Sequence, residues 1–413
     1  MPLPHSEDGS PDAEPDHILD SLDRLIAEGE KEAAIALALK AGTASAESRF
    51  HGELSERLIE LGAAEDAVTM LERLRANGMA GPRLLTLLGR AQSLAGRHGD
   101  AIETLREACY LDGRSEDALI ALGEARLQAD ETPEAIADFE RALRIRPGDA
   151  RAHFRLGEAW AQVDEPARAA HHFKIAKEAD PADRRGAAIR LAELDLAPPP
   201  TKASNSYVRH LFDGYAARYD VHMTGALSYR GPDLLFATAE NAWAASGGAP
   251  TGGEAIDIGC GTGLSGAAFK PRCPHLTGID LSPRMAAAAM ATGLYREVVV
   301  GEAVSVLESF PARFDTAIAC DTLIYIGELD PIFTALARVL TPGGWFFFSN
   351  EEAEGKPEAG YEIGPSRRFR HSEAYLRGMA ERHGFEVHAI ERCALRTERR
   401  VPVSAFTCAF RLG

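Results

Sequence analysis

The sequence predicts an α + α/β protein, with an all-α superhelix of repeats first and an α/β part with a mostly parallel sheet after it. Three observations predict this: a self-similarity at a 34-residue step between residues 82 and 183, a proline run at 198–200, and a glycine-rich turn after a short apolar strand near residue 258. At 413 residues the chain is too long for one ordinary hydrophobic core, so more than one domain is expected.

The bulk numbers narrow the field. The chain is 45% hydrophobic and 26% charged, the balance of a globular protein, and has no apolar stretch long enough to span a bilayer. A net charge of −17 repels phosphate backbones, which makes nucleic acid a disfavoured substrate. Residues 1–15 are acidic and proline-containing, without the layout of a signal peptide, and are expected to form a disordered leader. The six cysteines are scattered with no C-x-x-C pair, which speaks for reduced thiols in the cytoplasm and against a zinc site. No metal site is expected; His171 and His172 are adjacent on a helix, about 100° apart, and chelate poorly together.

Three registers define the repeat: Pro82 to Ser115, Glu116 to Asp149, and Ala150 to Asp183. Leu88-Gly89, Leu122-Gly123 and Leu156-Gly157 recur in step, as do Ala101, Ala135 and Ala169, and Phe139 recurs as Phe173. Small residues mark where two antiparallel helices cross closely, the larger ring fills the space beside them, and Pro147 ends the second helix. Weaker copies run upstream around Ala67 and Leu71, and around Ala33 and Leu37. The pattern resembles the tetratricopeptide repeat. Four or five helical hairpins are expected over 16–183, followed by a capping helix near 184–194, giving a repeat domain at 16–196. The resemblance implies a concave face for a protein or peptide partner; a spacer or self-association surface is the plainer reading. The run Ala197-Pro198-Pro199-Pro200 marks a linker at 197–203, with the second domain at 204–413.

In that second domain, helices are expected at Tyr207 to Tyr219 and Pro232 to Ala245. Glu254-Ala255-Ile256-Asp257-Ile258 reads as a buried strand and Gly259-Cys260-Gly261-Thr262-Gly263 as the tight turn after it. Glycines there let a ligand approach the backbone without a Cβ in the way. Asp257 can accept hydrogen bonds from an ammonium group or from turn amides. The next strand ends at Asp280, an acid suited to two ribose hydroxyls. Gly261-x-Gly263-x-x-Gly266 would also suit a dinucleotide, but a carboxylate just before the turn is poorly placed beside a pyrophosphate. Further segments follow in order: Val298 to Val300 before Glu302-Ala303, Phe314 to Asp321, and the turn Leu340 to Gly344 feeding the apolar Trp345 to Phe348.

Together these segments resemble class I S-adenosylmethionine methyltransferases across 204–413. The Phe212 to His222 segment, the Gly293-Leu294-Tyr295 turn, Phe369-Arg370-His371 and the Leu395 to Arg399 tail look like the bacterial group of predicted tetratricopeptide-containing methyltransferases. The resemblance implies S-adenosylmethionine as cofactor. Gly259, Cys260, Gly261 and Gly263 would form its backbone cradle. Asp280 would take the ribose hydroxyls, Leu281 and Met285 would pack on adenine, and Glu302 and Ala303 would meet its edge. Glu302 stands where the wider fold often has Asp, and Met285 reads equally well as a core residue. The Cys320 carbonyl and Asp257 would face the ammonium end.

Methyl transfer needs close approach and often a base. Candidates are Asp321 and Tyr325 after the fourth strand, Tyr215 and Tyr219 on a covering helix, and His371. Each has a plainer alternative: Tyr215 shaping the pocket, Asp321 capping a helix, His371 lying exposed before a helix start. The expected function is methylation of a small-molecule or peptide acceptor. The alternatives are a repeat scaffold that binds the cofactor without turnover, and an oxidoreductase on the same glycine loop.

Overall fold

The computed structural model describes residues 15–27, 30–44, 48–216, 219–248, 253–355, 357–398 and 401–413. The leader assigned to 1–15 lies, apart from Pro15, outside the described residues. The chain forms two compact units, Met1–Ala169 and Ala170–Gly413.

The first unit is built from helices that follow the sequence registers. Pro82–Leu94 and His98–Leu111 form one copy and Glu116–Gln128 and Thr132–Ile145 the next; Ala150–Gln162 opens a third. Upstream, Pro15–Ala27, Lys31–Ala44, Ser48–Glu60 and Ala64–Ala76 continue the pattern. The reason lies in the crossing points. Phe139 is fully buried, and a Cβ on Gly123 would stand 2.5 Å from its Cε1. Only hydrogen on that α-carbon lets the two helices close around the ring. Ala101, Ala108, Ala135 and Ala142 are all wholly buried at equivalent places. Helix starts are fixed locally, with the Ser115 side chain accepting from the Ala118 amide and Asp149 from Ala152.

The second unit begins at Ala170, within the helix Pro166–Ala179, which is followed by Ala187–Glu193, close to the expected cap. Beyond it lies a nine-stranded sheet: β1 Glu254–Ile258, β2 His275–Asp280, β3 Tyr295–Val300, β4 Phe314–Ala319, β5 Leu340–Glu352, β6 Tyr361–Ile363, β7 Phe369–His371, β8 Phe385–Glu398 and β9 Val401–Leu412. The main order is β3-β2-β1-β4-β5-β7-β6, and β9 lies antiparallel on β5 with β8 outside it. β1 to β5 run parallel, giving a Rossmann-like domain. The turn expected at Leu340 to Gly344 is an insertion inside β5: Phe314 pairs with Leu340, yet Thr316 pairs with Trp345.

Alternation along the strands sends side chains to two cores. Ile256, Ile258, Phe346 and Phe348 pack with Leu307, Phe333, Leu336 and Met379 on one face. Ala255, Ile318, Trp345 and Phe347 pack with Leu235, Trp243 and Phe269 on the other. The strand order reverses between β1 and β4, which leaves a crevice at their carboxyl ends.

Two local expectations are corrected. The helix expected over Tyr207 to Tyr219 runs only Asn205–Asp213 and ends at Gly214, with Tyr219–Val221 forming a separate short turn. Tyr295, read as part of a turn, opens β3 and is buried.

Gly123→Ala is expected to destabilise the protein by about 1–3 kcal/mol, because overpacking against Phe139 outweighs the helix propensity that alanine gains. Urea unfolding followed by circular dichroism measures this, and a stabilised variant would contradict the close crossing.

Candidate active site

The crevice at the carboxyl ends of β1, β2 and β4 is a cleft enclosing about 800 Å³ of empty space, part of it open to solvent. Of the residues singled out from sequence, Gly259, Gly261, Asp280, Leu281, Glu302, Ala303, Cys320, Asp321 and Tyr325 line it, and so does Tyr219. Lys202, Asn205, Val208, Phe212, Thr322 and Ile326 join them from segments not singled out as site.

The floor is the turn after β1. Gly259 has φ +66°, and a Cβ there would run into the Thr322 side chain, so the turn accepts only glycine. Thr322 is held against it by donating from Oγ1 to the Ile258 carbonyl (2.8 Å). Asp280, at the end of β2, accepts from the Gly261 amide (2.9 Å) and, with its other oxygen, from the Ser282 amide (2.8 Å). Asp257 is fully buried behind the turn and off the cavity lining. Its Oδ2 accepts from the Tyr295 hydroxyl (2.6 Å) and from Ser265 Oγ (2.8 Å), while Oδ1 has no hydrogen-bond partner. Burial pushes Asp257 up to about 6 against the pull of Tyr295 and Ser265, and pushes Asp280 up to about 6 against its two amides.

Several assigned residues stand behind the cavity wall. Cys260 and Met285 are buried beneath it, the latter with its amide on Ser282 Oγ (3.2 Å). Gly263 caps the helix Leu264–Phe269. Glu302 lines the cavity, but both of its carboxylate oxygens are engaged. Oε2 accepts from the Ser305 amide (2.9 Å) as a helix cap and Oε1 from Lys202 (3.2 Å). Burial would raise its pKa, and those partners outweigh it and bring it below the usual range. Tyr215 meets His222 Nδ1 rather than the cavity. The exposed position pictured for His371 is corrected. It is fully buried between the Gly327 carbonyl (2.8 Å) and Asn350 Oδ1 (3.1 Å), and burial pushes it down to about 4.

The outer wall is made before β1. Thr201 accepts from the Gly327 and Glu328 amides (2.8 Å each), and the Ala203 amide donates to the Tyr325 carbonyl (2.9 Å). The helix Asn205–Asp213 then crosses the cleft, with Val208 and Phe212 on the lining. Arg209 Nε donates to the Leu281 carbonyl (3.3 Å), and Asp213 accepts from Ser282 Oγ (2.5 Å). Val208 and Phe212, four apart on a polar helix, were the available sequence signal for this wall.

At the far end Asp321 has φ +54°, unusual for a residue with a side chain. Its Oδ2 accepts from Arg396 Nη1 (2.8 Å), and its buried Oδ1 has no hydrogen-bond partner. Arg396, almost wholly buried in β8, also donates to Glu351 and to Glu398 (3.0 Å). Burial opposes its charge, but Asp321 and Glu351 outweigh it and hold the guanidinium more firmly ionised than usual. Among the described residues no group of three or more His, Cys, Asp or Glu could hold a metal, and no helix is long and apolar enough to cross a membrane.

Residues 256–348 match the model of a methyltransferase domain, and residues 53–118 and 120–184 that of the tetratricopeptide repeat. The chain is similar to the ubiquinone biosynthesis O-methyltransferase of Paracidovorax citrulli, 34% identical over 113 residues. It is also similar to the protein of the same name from Xylella fastidiosa, 36% identical over 104 residues. The match covers 25% of this chain and 46% of the first protein, and 24% and 42% for the second, less than half of each relative. Among solved structures, a SAM-dependent methyltransferase from Methanosarcina mazei is 21% identical with TM-score 0.33, covering 38% of this chain and 92% of that one.

The raised Asp257 has a measurable consequence. An unfolded chain ionises this group from 3.8 upward and the folded one only near 6. The folded state is therefore penalised progressively across that window and fully above it. Asp257→Asn keeps the shape and removes the charge. Its stability relative to the unsubstituted, ligand-free protein should rise from near zero at about pH 4 to about 2–3 kcal/mol at pH 7. Chemical unfolding at several pH values checks this, and a gap that does not widen would contradict the buried charge.

Proposed function

From a chain that carries tetratricopeptide repeats over 53–184 and a methyltransferase domain over 256–348, we propose that it transfers a methyl group from S-adenosylmethionine to a small-molecule or peptide acceptor, with the repeats binding the substrate or a partner protein. A cytoplasmic setting is part of this reading, supported by six cysteines that stand free of one another.

The observation that carries the reading is the pairing of Asp280 with the glycine turn. A two-oxygen acceptor ends β2, beside a turn at Gly259 that a Cβ would fill. Ribose hydroxyls suit such an acceptor, and Asp257, buried behind the turn and off the lining, places there a negative charge that favours an ammonium group over a pyrophosphate without touching it. The residues present fit S-adenosylmethionine: Gly259 and Gly261 would cradle its amino-acid and ribose portions, and Leu281, Ala303 and Ile279 would give adenine an apolar seat. With Glu302 engaged by Ser305 and Lys202, recognition of adenine falls to backbone and packing rather than to that carboxylate. When bound, the cofactor supplies a methyl group on a sulfonium. The protein's part is to orient it, with Phe212, Tyr219 and Tyr325 walling the cleft and limiting water. Burial, then Asp321, hold the Tyr219 phenol protonated, so it serves as a donor rather than a base.

Calorimetric titration with S-adenosylmethionine, S-adenosylhomocysteine and NADH tests the reading. The first two should bind and NADH should not, and Asp280→Ala should weaken both by about a hundredfold, the loss of two hydrogen bonds to a charged acceptor. Binding of NADH alone would overturn the reading in favour of an oxidoreductase.

A further inference from the structure

Three carboxylates line the cleft: Asp280, Glu302 and Asp321. The first two have both oxygens engaged by protein groups, whereas Asp321 has one, leaving Oδ1 buried and unpartnered. The carboxylate is held in place by a buried arginine brought from β8, 75 residues on. The Asp321 amide is fixed as well, donating to Ser349 Oγ (2.8 Å). An orphaned carboxylate oxygen on a residue that lines a cleft leaves a place for a donor that arrives with a ligand.

The neighbouring surface suits the positive charge that develops on an acceptor nitrogen as it is methylated. Phe212, Tyr219 and Tyr325 line the same cleft, with the Phe212 ring centroid 5.4 Å from that of Tyr325 and 6.2 Å from that of Tyr219. Aromatic faces beside a carboxylate recognise nitrogen-centred positive charge. The cleft also lacks a strong base. No histidine lines it among the described residues, its lysine, Lys202, is paired with Glu302, and the Tyr219 phenol is held protonated. An amine that gives up its ammonium proton to solvent before it binds needs no such base, because its neutral form carries the lone pair.

Resting on the cofactor reading above, we propose that Asp321 Oδ1 is the recognition point for the acceptor and that the acceptor is an amine. The amine's N–H donates to Oδ1. Its lone pair forms the new N–C bond while the C–S bond breaks and its electron pair stays on sulfur. The methylated product is an ammonium ion, held by Asp321, which loses its proton to solvent on release. Arg396 is a positioning residue that fixes the Asp321 carboxylate.

Sinefungin tests this without knowledge of the acceptor, since it carries an amine in place of the methyl-bearing sulfonium, whereas S-adenosylhomocysteine carries a neutral thioether. The readout is the ratio of their dissociation constants by calorimetry. In the unsubstituted protein sinefungin should bind at least tenfold more tightly. In Asp321→Asn, which tolerates the left-handed backbone, the ratio should fall to about one. Asp321→Glu, which restores the charge, should recover part of it. A ratio near one in the unsubstituted protein needs no variant and overturns the proposal, as does a preference that survives in Asp321→Asn. If neither compound binds the unsubstituted protein, the cofactor reading falls, and this inference with it.

Discussion

The amides of Gly261 and Ser282 both donate to the carboxylate of Asp280, and those two bonds fasten the turn after β1 to the end of β2. Much of the cleft depends on this fastening. Because the turn is held tight, Gly259 comes against Thr322, whose hydroxyl reaches back to the Ile258 carbonyl and so draws in the segment after β4. That segment in turn carries Tyr325, whose carbonyl receives the Ala203 amide and anchors the chain before the covering helix. The constraint is electrostatic as well as geometric. Burial raises the pKa of both Asp280 and Asp257, and the ligand-free protein carries that cost when they ionise.

Such a cost is what a binding site can return. Buried carboxylates with one unpartnered oxygen destabilise the free protein and are relieved by a ligand that brings donors or positive charge. Asp257 and Asp321 share this feature, one buried behind the glycine turn and off the lining and one on the wall held by Arg396. The site is therefore a set of preplaced acceptors in which the protein has already met the desolvation cost of the charges that catalysis needs.

The repeats were legible because helix crossings leave a residue-level trace. Gly89 and Gly123 recur where Leu105 and Phe139 press on the facing backbone, and the helices fall on the sequence registers. The glycine turn and Asp280 were legible for the same reason, since a positive φ at Gly259 and an acid at a strand end leave fixed spacings. Long-range partners left no such trace. Arg396 meets Asp321 across 75 residues because β8 lies beyond β9 and β5, and nothing in the local sequence announces that pairing. Tyr295 looked like part of a turn until β3 turned its hydroxyl onto Asp257. His371, weighed both as a base and as an exposed side chain, sits at the end of β7, where pairing with β5 and β6 buries its ring against Gly327 and off the cleft lining.

The most direct measurement is the stabilisation of the full chain by S-adenosylhomocysteine at pH 5 and at pH 8. Burial pushes Asp257 and Asp280 up to about 6, so at pH 8 both are ionised, Asp280 ready for the ligand's hydroxyls and Asp257 adding negative charge behind the turn, whereas at pH 5 they must first lose protons. The ligand-induced rise in unfolding free energy should be larger at pH 8, by about 1–3 kcal/mol. An equal or larger rise at pH 5 would contradict the claim that the charge on these buried carboxylates favours the cofactor.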